Sequence, residues 1–314
     1  MKSGRRIAFA AGLAAVACAA PYGSAPPEPS GGVTVPIHDR YARARAEMVV
    51  AVNGDRGRHG LAPVSLDSLA TVVAQAHAED MAAGGYLSHY NTAGLAPYER
   101  LAAAGGTGHL LENIFRWQQR AAPEWDLDDP WERFDVRVAE AWFMDSPGHR
   151  GAILDPHRAW IGIGIAVDPG RSAVYVVQEL VTAAATLSHP GRVLPGEDAA
   201  VSGRVGTPGA RPLMLVLTRE PLVRAWAARG ERPPGGAYAD GGSPSLIVPP
   251  WAIRWNPDDR SFGMRLRMGR GAEPARWYGV LYVAPEAAVR EAVSSRRAAT
   301  GQGWPAAAFV VEVL

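Results

Sequence analysis

The chain has 314 residues but only one cysteine and one lysine. Because Cys18 has no second cysteine to pair with, an intrachain disulfide is excluded. Lys2 stands alone and scattered arginines supply the other basic residues, so 32 basic and 31 acidic residues give a net charge of +1. A chain without a basic cluster lacks the electrostatic footprint of a phosphate-binding surface, and we expect no nucleic-acid partner.

The sequence also lacks an apolar run long enough to cross a bilayer as a helix. Its N-terminal apolar run, residues 7–17, follows Lys2 and two arginines, which is the layout of a signal peptide. The small residues on either side of Cys18 suit cleavage by a signal peptidase. We therefore predict a signal peptide over residues 1–19 and an exported protein.

Cys18 itself has two interpretations. Residues 15–18 resemble a lipobox, in which the cysteine is lipidated and becomes the mature N-terminus, although Ala15 replaces the usual leucine. Alternatively, Cys18 is a chance residue in a discarded signal peptide. Residues 20–36 are rich in Pro, Gly and Ser, which is typical of a flexible tether. The protein is therefore expected either as a lipoprotein that contacts the membrane through its N-terminal anchor or as a secreted or periplasmic protein.

Residues 37–186 begin with helical periodicity and end with strand periodicity. The last part predicts two strands joined by the turn Asp168-Pro169-Gly170. The second helix should bury the stripe Leu69, Val72, Val73, Ala76 and Met81. The predicted helices are one ending near Asn53-Gly54, one capped by Asp67, one opened by Pro97, one over Val136–Met144, and one from Ser146-Pro147 through Leu154.

Residues 187–314 contain short apolar runs separated by Gly and Pro, which favours a β-rich domain. We predict a small β-sandwich with one helix over Pro285–Arg297. Its predicted strands are Ala200–Val205, Leu213–Leu217, Ser245–Val248, Phe262–Met268, Trp277–Val283 and Ala308–Leu314.

Residues 116–134 contain Trp117, Trp125 and Trp131 without a clear period. We interpret this segment as an ordered surface insertion. The alternative is a platform on which the tryptophans stack against a carbohydrate or a protein partner.

Four short blocks resemble a known family when they are taken together and in order. They are Asn53-Gly-Asp-Arg56, Leu87-Ser-His-Tyr90, Glu112-Asn-Ile114 and Ser146-Pro-Gly-His-Arg150. The set is similar to the CAP (SCP-type) domain superfamily of cysteine-rich secretory and pathogenesis-related 1 proteins, in its bacterial branch. The resemblance runs to Gln178 and implies an α+β fold: an α-β-α sandwich with a mostly antiparallel sheet and a cleft on one side.

The resemblance also implies a cleft with two histidines and two acids. The second acid of the family follows the tryptophan of the fourth helix, which points to Asp145, three residues after Trp142. The helix near Trp142 is one residue longer than the family pattern, and Glu140 lies nearby, so the fourth position stays open. By motif, the cleft tetrad is His89, Glu112, Asp145 and His149.

Such a set supports either chemistry or binding. Two neutral imidazoles and a carboxylate can hold Zn²⁺ or another divalent metal with one position open, so His89, His149 and Glu112 are a possible metal set. A bound metal would activate water for hydrolysis. The same groups can bind an anion or a polar head group without chemistry. His-Glu-x-x-His is absent and no nucleophile stands at a recognisable spacing from a base, so no catalytic residue is assigned.

Three functions remain open at this point. The first is a non-enzymatic module of the cell envelope that binds a lipid, a cell-wall component or a protein. The second is a metal-dependent hydrolase that acts on peptide or cell-wall bonds. The third is a structural envelope protein, which would gain support if the 116–134 insertion filled the cleft. We favour binding, because a tether, a missing nucleophile and a second domain fit ligand capture.

Overall fold

A computed structural model describes residues 40–118, 131, 134–235, 245–267, 274–296 and 303–314. The predicted signal peptide, Cys18, the tether and Trp125 lie outside the described residues. Within the described ranges, no helix combines the length and the apolar character needed to cross a membrane.

The N-terminal body is a four-stranded sheet in the order β1-β3-β4-β2. The β2–β4 and β3–β4 pairs are antiparallel and the short β1–β3 pair is parallel, so the predicted mostly antiparallel sheet is confirmed. Its elements are α1 (Ala42–Arg58), β1 (Ser65–Leu66), α2 (Ser68–Gly84), α3 (Pro97–Ala103), β2 (His109–Gln118), α4 (Val136–Asp145), α5 (Pro147–Ile153), β3 (Trp160–Asp168) and β4 (Ala173–Thr182).

Helices cover both faces of this sheet because successive residues of a strand point to opposite faces. On β3, Ile161, Ile163 and Ile165 pack with the apolar side chains of α1, α4 and α5. The intervening Gly162 and Gly164 face α2. The α-β-α sandwich that the resemblance implied is therefore confirmed.

The two glycines of β3 bring α2 close to the sheet. A Cβ atom on Gly164 would lie 2.1 Å from the carbonyl oxygen of Ala74, and one on Gly162 would lie 2.2 Å from the carbonyl carbon of Ala70. The predicted stripe of α2 is partly wrong, because Val72 and Ala76 are exposed. Small residues replace them at the contact, and the buried set is Ala70, Thr71, Val73, Ala74, His77, Ala78, Met81 and Ala82.

Helix α1 continues beyond the end predicted near Asn53-Gly54 and reaches Arg58. Asn53 does not end the helix, because its side chain bonds the backbone of Val64. Arg56, one turn further on, is fully buried and donates to the carbonyl oxygen of Ile153 at 2.6 Å. These contacts with later segments hold the last turn of α1 in place.

The segment 116–134 is described only in part. Trp131 packs edge-on against Tyr41 with ring centroids 4.8 Å apart, and Trp117 lies 5.9 Å from Phe134. Both described tryptophans therefore border the core that α1 and α4 share with the sheet.

The C-terminal body contains two further sheets, in the orders β10-β11-β7-β5 and β6-β13-β12-β8-β9, with an apolar core between them. The predicted β-rich C-terminal domain is confirmed, α7 lies where one helix was predicted, and the short helix α6 was not predicted. Its elements are β5 (Ala185–Ser188), β6 (Arg192–Val193), β7 (Asp198–Val205), β8 (Ala210–Pro221), α6 (Ala225–Ala228), β9 (Leu246–Val248), β10 (Arg254–Asn256), β11 (Ser261–Arg267), β12 (Ala275–Pro285), α7 (Glu286–Ser295) and β13 (Trp304–Val313).

The outer face of the five-stranded sheet packs against the N-terminal body. Tyr278, Val280 and Ala308 form one buried cluster with Tyr98 of α3. The rings of Tyr98 and Tyr278 stack with centroids 3.8 Å apart, and the Ala308 amide donates to the carbonyl of Thr107 at 2.9 Å. The two bodies are thus joined by a buried interface.

Candidate functional site

The edge strand β2 lies at the centre of the candidate site. Leu110 and Ile114 pack on the side of α2 and α3, whereas Phe115 packs on the side of α1, α4 and α5. Glu112 and Asn113 are neighbours in sequence and therefore point to opposite faces of the sheet. The site consequently has two halves, one on each face of β2.

The half on the α2/α3 face, which we call the charged half, contains His77, His89, Arg100, Glu112 and Glu179. His89 Nδ1 lies 2.8 Å from Glu112 Oε1, and Arg100 Nη2 donates to Glu112 Oε2. His77 Nε2 lies 3.9 Å from Glu112 Oε1. One buried carboxylate therefore joins two imidazoles and a guanidinium.

Arg100 holds both members of the His89–Glu112 pair. In addition to its bond to the carboxylate, its Nη1 donates to the backbone oxygens of His89 at 2.7 Å and Leu95 at 3.1 Å. Its Nη2 also lies 3.9 Å from Glu179 Oε1. The guanidinium thus fixes the loop that carries His89 as well as the acid that His89 contacts.

The pKa values of the two acids of the charged half shift in opposite directions. Burial alone would raise the pKa of Glu112, but the charge of Arg100, together with the hydrogen bond to His89, more than offsets burial and holds this pKa below its ordinary value. Burial raises the pKa of Glu179 well above its ordinary range, because Arg100 opposes it only in part. Neither oxygen of Glu179 has a hydrogen-bond partner among the described residues. Burial and the charge of Arg100 therefore shift the pKa values of these two neighbouring acids in opposite directions.

His77 is neutral near pH 7. Burial, and secondarily the charge of Arg100, lower the pKa of His77 from 6.5 to about 4. Its Nε2 donates to the carbonyl oxygen of Ser88 at 2.8 Å. As a neutral side chain, His77 therefore holds the backbone of Ser88, next to His89, through this hydrogen bond.

The half on the other face of β2, which we call the amide half, contains Asn113, Glu140, His149 and Gln178. Asn113 Nδ2 lies 3.3 Å from the carbonyl oxygen of His149 and 3.1 Å from Gln178 Oε1. Gln178 Nε2 in turn donates to Glu140 Oε2 at 2.6 Å. Side-chain amides therefore connect β2 and β4 to α4 and to the start of α5.

Glu140 is the buried acid of the amide half, with 2% of its surface exposed. Its Oε1 has no hydrogen-bond partner among the described residues. Burial raises the pKa of Glu140 to about 7, the bond from Gln178 opposes this shift, and the charge of Asp55 adds to it. This carboxyl therefore titrates near neutral pH.

His149 lies between a serine and two aromatic rings. Its Nδ1 is 2.8 Å from Ser146 Oγ, and its ring centroid is 5.0 Å from that of Trp142 and 5.4 Å from that of Phe143. Phe143 is fully buried, whereas Trp142 is 46% exposed. The buried aromatic of α4 is thus Phe143, and the preceding Trp142 is left partly open to solvent beside His149.

Three of the four predicted tetrad residues lie around β2. Glu112 and His89 belong to the charged half and His149 to the amide half. Burial, and then the charge of His89, lower the pKa of His149. Asp145 is the last residue of α4 and is exposed. The acid of α4 that hydrogen bonds connect to the set is Glu140.

The predicted metal set does not form a ligand cage. In the part of the chain that the structure describes, no three His, Cys, Asp or Glu side chains are grouped so that they could hold a metal ion. Glu112 lies on the α2/α3 face with Arg100 against it, whereas His149 approaches from the opposite face. A zinc site needs at least three protein ligands, so these residues do not fit a resident zinc ion.

Sequence reasoning missed the residues that hold the tetrad in place: Arg100, Glu179 and Gln178. The available signal was a pair of polar residues, Gln178 and Glu179, inside the apolar strand β4. Fully buried Glu side chains are rare unless they are paired. Nothing local in the sequence indicated that Arg100 would be the partner.

Comparison with known proteins identifies the N-terminal body. The profile of the cysteine-rich secretory protein (CAP) family matches residues 49–180. The uncharacterized protein YkwD of Bacillus subtilis is 29% identical over 119 residues, which are 38% of this chain and 40% of that protein. The chain thus spans less than half of the length of this curated relative.

Two solved structures are also similar. An outer surface protein of Borrelia burgdorferi matches with a TM-score of 0.37 and 12% identity over 46% of this chain and 95% of its own. An extracellular SCP-domain protein of Bacillus anthracis matches with a TM-score of 0.34 and 25% identity over 43% of this chain and 39% of its own. With whole-chain scores this low, the assignment depends on the profile match and on the residues arranged around β2. The profile match therefore identifies a CAP domain at residues 49–180 of the chain.

Proposed function

We propose that this chain is an exported protein of the bacterial cell envelope that captures a ligand at the edge of β2 without transforming it. The ligand is a molecule of the envelope: a lipid head group, a cell-wall fragment or a segment of a protein. The observation that carries the proposal is the pairing of His149 with the exposed ring of Trp142, 5.0 Å away. An imidazole beside an accessible aromatic face suits a ligand with one polar and one apolar side.

The charged half supports binding because it is rigid and already assembled. Glu112 is buried, contacts His89 and receives a bond from Arg100. Side chains that are held in one geometry by buried hydrogen bonds lose little freedom when a ligand arrives. Such a constellation favours capture of a ligand by a site that is present before binding.

Retention at the membrane is part of the proposal. A lipidated Cys18 followed by the tether of residues 20–36 would hold the CAP domain near the membrane surface. Cys18→Ser should move the protein from the membrane fraction to the soluble fraction of the expressing bacterium and abolish incorporation of labelled fatty acid. Unchanged fractionation and no label in the natural sequence would show that Cys18 leaves with the signal peptide.

Ligand capture is tested by purifying the exported protein from its envelope and identifying bound molecules by mass spectrometry. We expect a molecule that co-purifies with the natural chain and is lost from both His149→Ala and Trp142→Ala. His59→Ala is the matched control, because His59 is an exposed histidine at the end of α1. Identical bound molecules in all four proteins, or none in any, would contradict the proposal.

Hydrolysis is the second candidate, and one contact favours it. Ser146 Oγ lies 2.8 Å from His149 Nδ1, so a hydroxyl and a base are within hydrogen-bond reach. Among the described residues no carboxylate contacts the His149 ring to orient it, which is why we rank binding first. Covalent labelling of the natural chain by a fluorophosphonate probe, lost in Ser146→Ala, would reverse this order.

The metal-dependent form of hydrolysis has its own test. Because the candidate ligands lie on two faces of β2, a calorimetric zinc titration should show no tight one-to-one site. Tight binding that is lost in both His89→Ala and His149→Ala would instead establish a metal site.

A further inference from the structure

The loop that carries His89 is held by the C-terminal body. This loop, residues 86–96, connects α2 to α3, and we call it the His89 loop. The segment that faces it, residues 224–235, follows β8 and contains α6, and we call it the clamp segment. Their contacts lie on both sides of His89 in the sequence.

Residues on either side of His89 point away from Glu112 and toward the clamp segment. Ser88 is fully buried, and its Oγ donates to the carbonyl oxygen of Pro234 at 2.6 Å. The ring of Tyr90 meets that of Trp226 edge-on at 6.0 Å. His89 itself, between them, turns to Glu112. The alternation means that the clamp segment holds the backbone from which the His89 side chain projects.

Arg224 is the most connected residue of the clamp segment. It is 8% exposed, and its Nη1 donates to Glu99 Oε2 at 2.6 Å and to the carbonyl oxygen of Gly94. Its guanidinium also lies over the ring of Tyr90, 4.6 Å from the centroid. One side chain of the C-terminal body therefore contacts the His89 loop at two points and α3 at a third.

Helix α3 joins these contacts to the tetrad through two consecutive residues. Glu99 faces the C-terminal body, where Arg224 contacts one oxygen and Arg276 lies 3.4 Å from the other. Arg100 faces β2, where it bonds Glu112 and the carbonyl of His89. A displacement of α3 would therefore shift the partners of His89 and the anchors of the clamp segment together.

We propose that the C-terminal β-sandwich is a positioning module for the CAP site, which holds His89 against Glu112 through Arg224 and Ser88. Arg224 and Ser88 are positioning residues, because they act on His89 through the loop and touch no ligand. The significance of the module for capture rests on the function proposed above. Because the test of its effect on His89 needs no ligand, a failure of ligand capture and a failure of this proposal give different results.

The test is Arg224→Ala in the full chain, with hydrogen exchange followed by mass spectrometry. Loss of a buried charge-assisted bond should open the His89 loop, so exchange in residues 86–96 should accelerate about tenfold while α1 is unchanged. Arg229→Ala is the matched control, because Arg229 lies in the same segment, is 58% exposed and pairs with Glu231 two residues away. The control should exchange like the natural chain.

A second readout separates positioning from general stability. The NMR signals of the His89 ring should shift in Arg224→Ala, and Arg224→Lys should restore them in part because it keeps a positive charge near Glu99. Val289→Ala removes buried methyl groups from α7, which packs against Leu213 near the start of β8, whereas the clamp segment follows the end of β8. This variant should leave the His89 signals in place. If Arg224→Ala does not fold, Ser88→Ala is the second variant, because it removes a different contact between the His89 loop and the clamp segment and should disturb the fold less.

Two outcomes would overturn the proposal. In the first, exchange in residues 86–96 and the His89 signals are unchanged in the Arg224 or Ser88 variant. In the second, Val289→Ala changes them as much as the clamp variants do, which would make the effect a consequence of lower stability alone.

Discussion

The two halves of the site share strand β2 but are built from different chemistry. In the charged half, Arg100 offsets the burial of Glu112 and holds its pKa low, whereas burial raises the pKa of Glu179. In the amide half, Asn113 and Gln178 connect the groups without a fixed charge, and Glu140 titrates near neutrality. The stability of the charged half therefore depends on the guanidinium of Arg100. The stability of the amide half depends instead on whether the carboxyl of Glu140 is protonated.

The strongest test of this difference is to remove the guanidinium with Arg100→Met. Glu112 would then be a buried carboxylate without its main counter-charge, and breaking a buried pair typically destabilises a protein by about 3–5 kcal/mol. Urea unfolding at pH 7 measures the loss. Arg43→Met, at a position 92% exposed, is the control and should change stability by less than about 0.5 kcal/mol. A similar small change in Arg100→Met would remove the distinction between the halves.

The amide half is tested by Glu140→Gln, which mimics the protonated acid. Because folding raises the pKa of Glu140 from 4.5 to about 7, the folded state keeps a proton that the unfolded state releases. The natural chain therefore loses stability as pH rises from 4.5 to 7, and above pH 7 the variant should be more stable by up to about 3 kcal/mol. The two proteins should match near pH 4.5, and a difference that is constant with pH would contradict the assignment.

His77 in the charged half should show the opposite slope. Because folding lowers the pKa of His77 from 6.5 to about 4, the unfolded state binds a proton between these pH values that the folded state does not bind. Stability therefore falls as pH drops from 6.5 to 4, by about 2–3 kcal/mol, and His77→Gln should remove this loss. His59→Gln, at an exposed position, is the control. In the natural chain the slopes of His77 and Glu140 oppose each other between pH 4.5 and 6.5, so only the variants separate them.

The smallest expected effect concerns packing on the two faces. Gly164→Ala would place a methyl group 2.1 Å from the carbonyl oxygen of Ala74 and push α2, which carries His77, away from the sheet. We expect a loss of about 1–3 kcal/mol in thermal or urea unfolding. Gly148→Ala on α5 is the matched control, since its Cβ atom meets nothing within 4 Å. Equal losses of stability in both variants would mean that α2 can move to accommodate the added methyl group.

Local chemistry explains which parts of the fold the sequence predicted. Asp67 caps α2 by accepting from the Ala70 amide at 2.7 Å, and the turn after Asp168 separates β3 from β4 as expected. Strand β2 was not predicted, because Glu112 and Asn113 interrupt its apolar pattern. They are buried there only because β4 pairs with β2 along its whole length and supplies partners from distant segments.

The sequence by itself indicated the CAP domain, most of the helices and strands, and His89, Glu112 and His149 as candidate site residues. These depend on short motifs, caps and periodicity, which are properties of neighbouring residues. The tertiary structure decided that residues of the tetrad lie on both faces of the edge strand β2 and that Glu140 is the acid of α4 that hydrogen bonds to Gln178. It also decided that Arg224 of the C-terminal body contacts the His89 loop. Burial and ion pairing between residues far apart in the chain set these features, and such contacts exist only after the chain has folded.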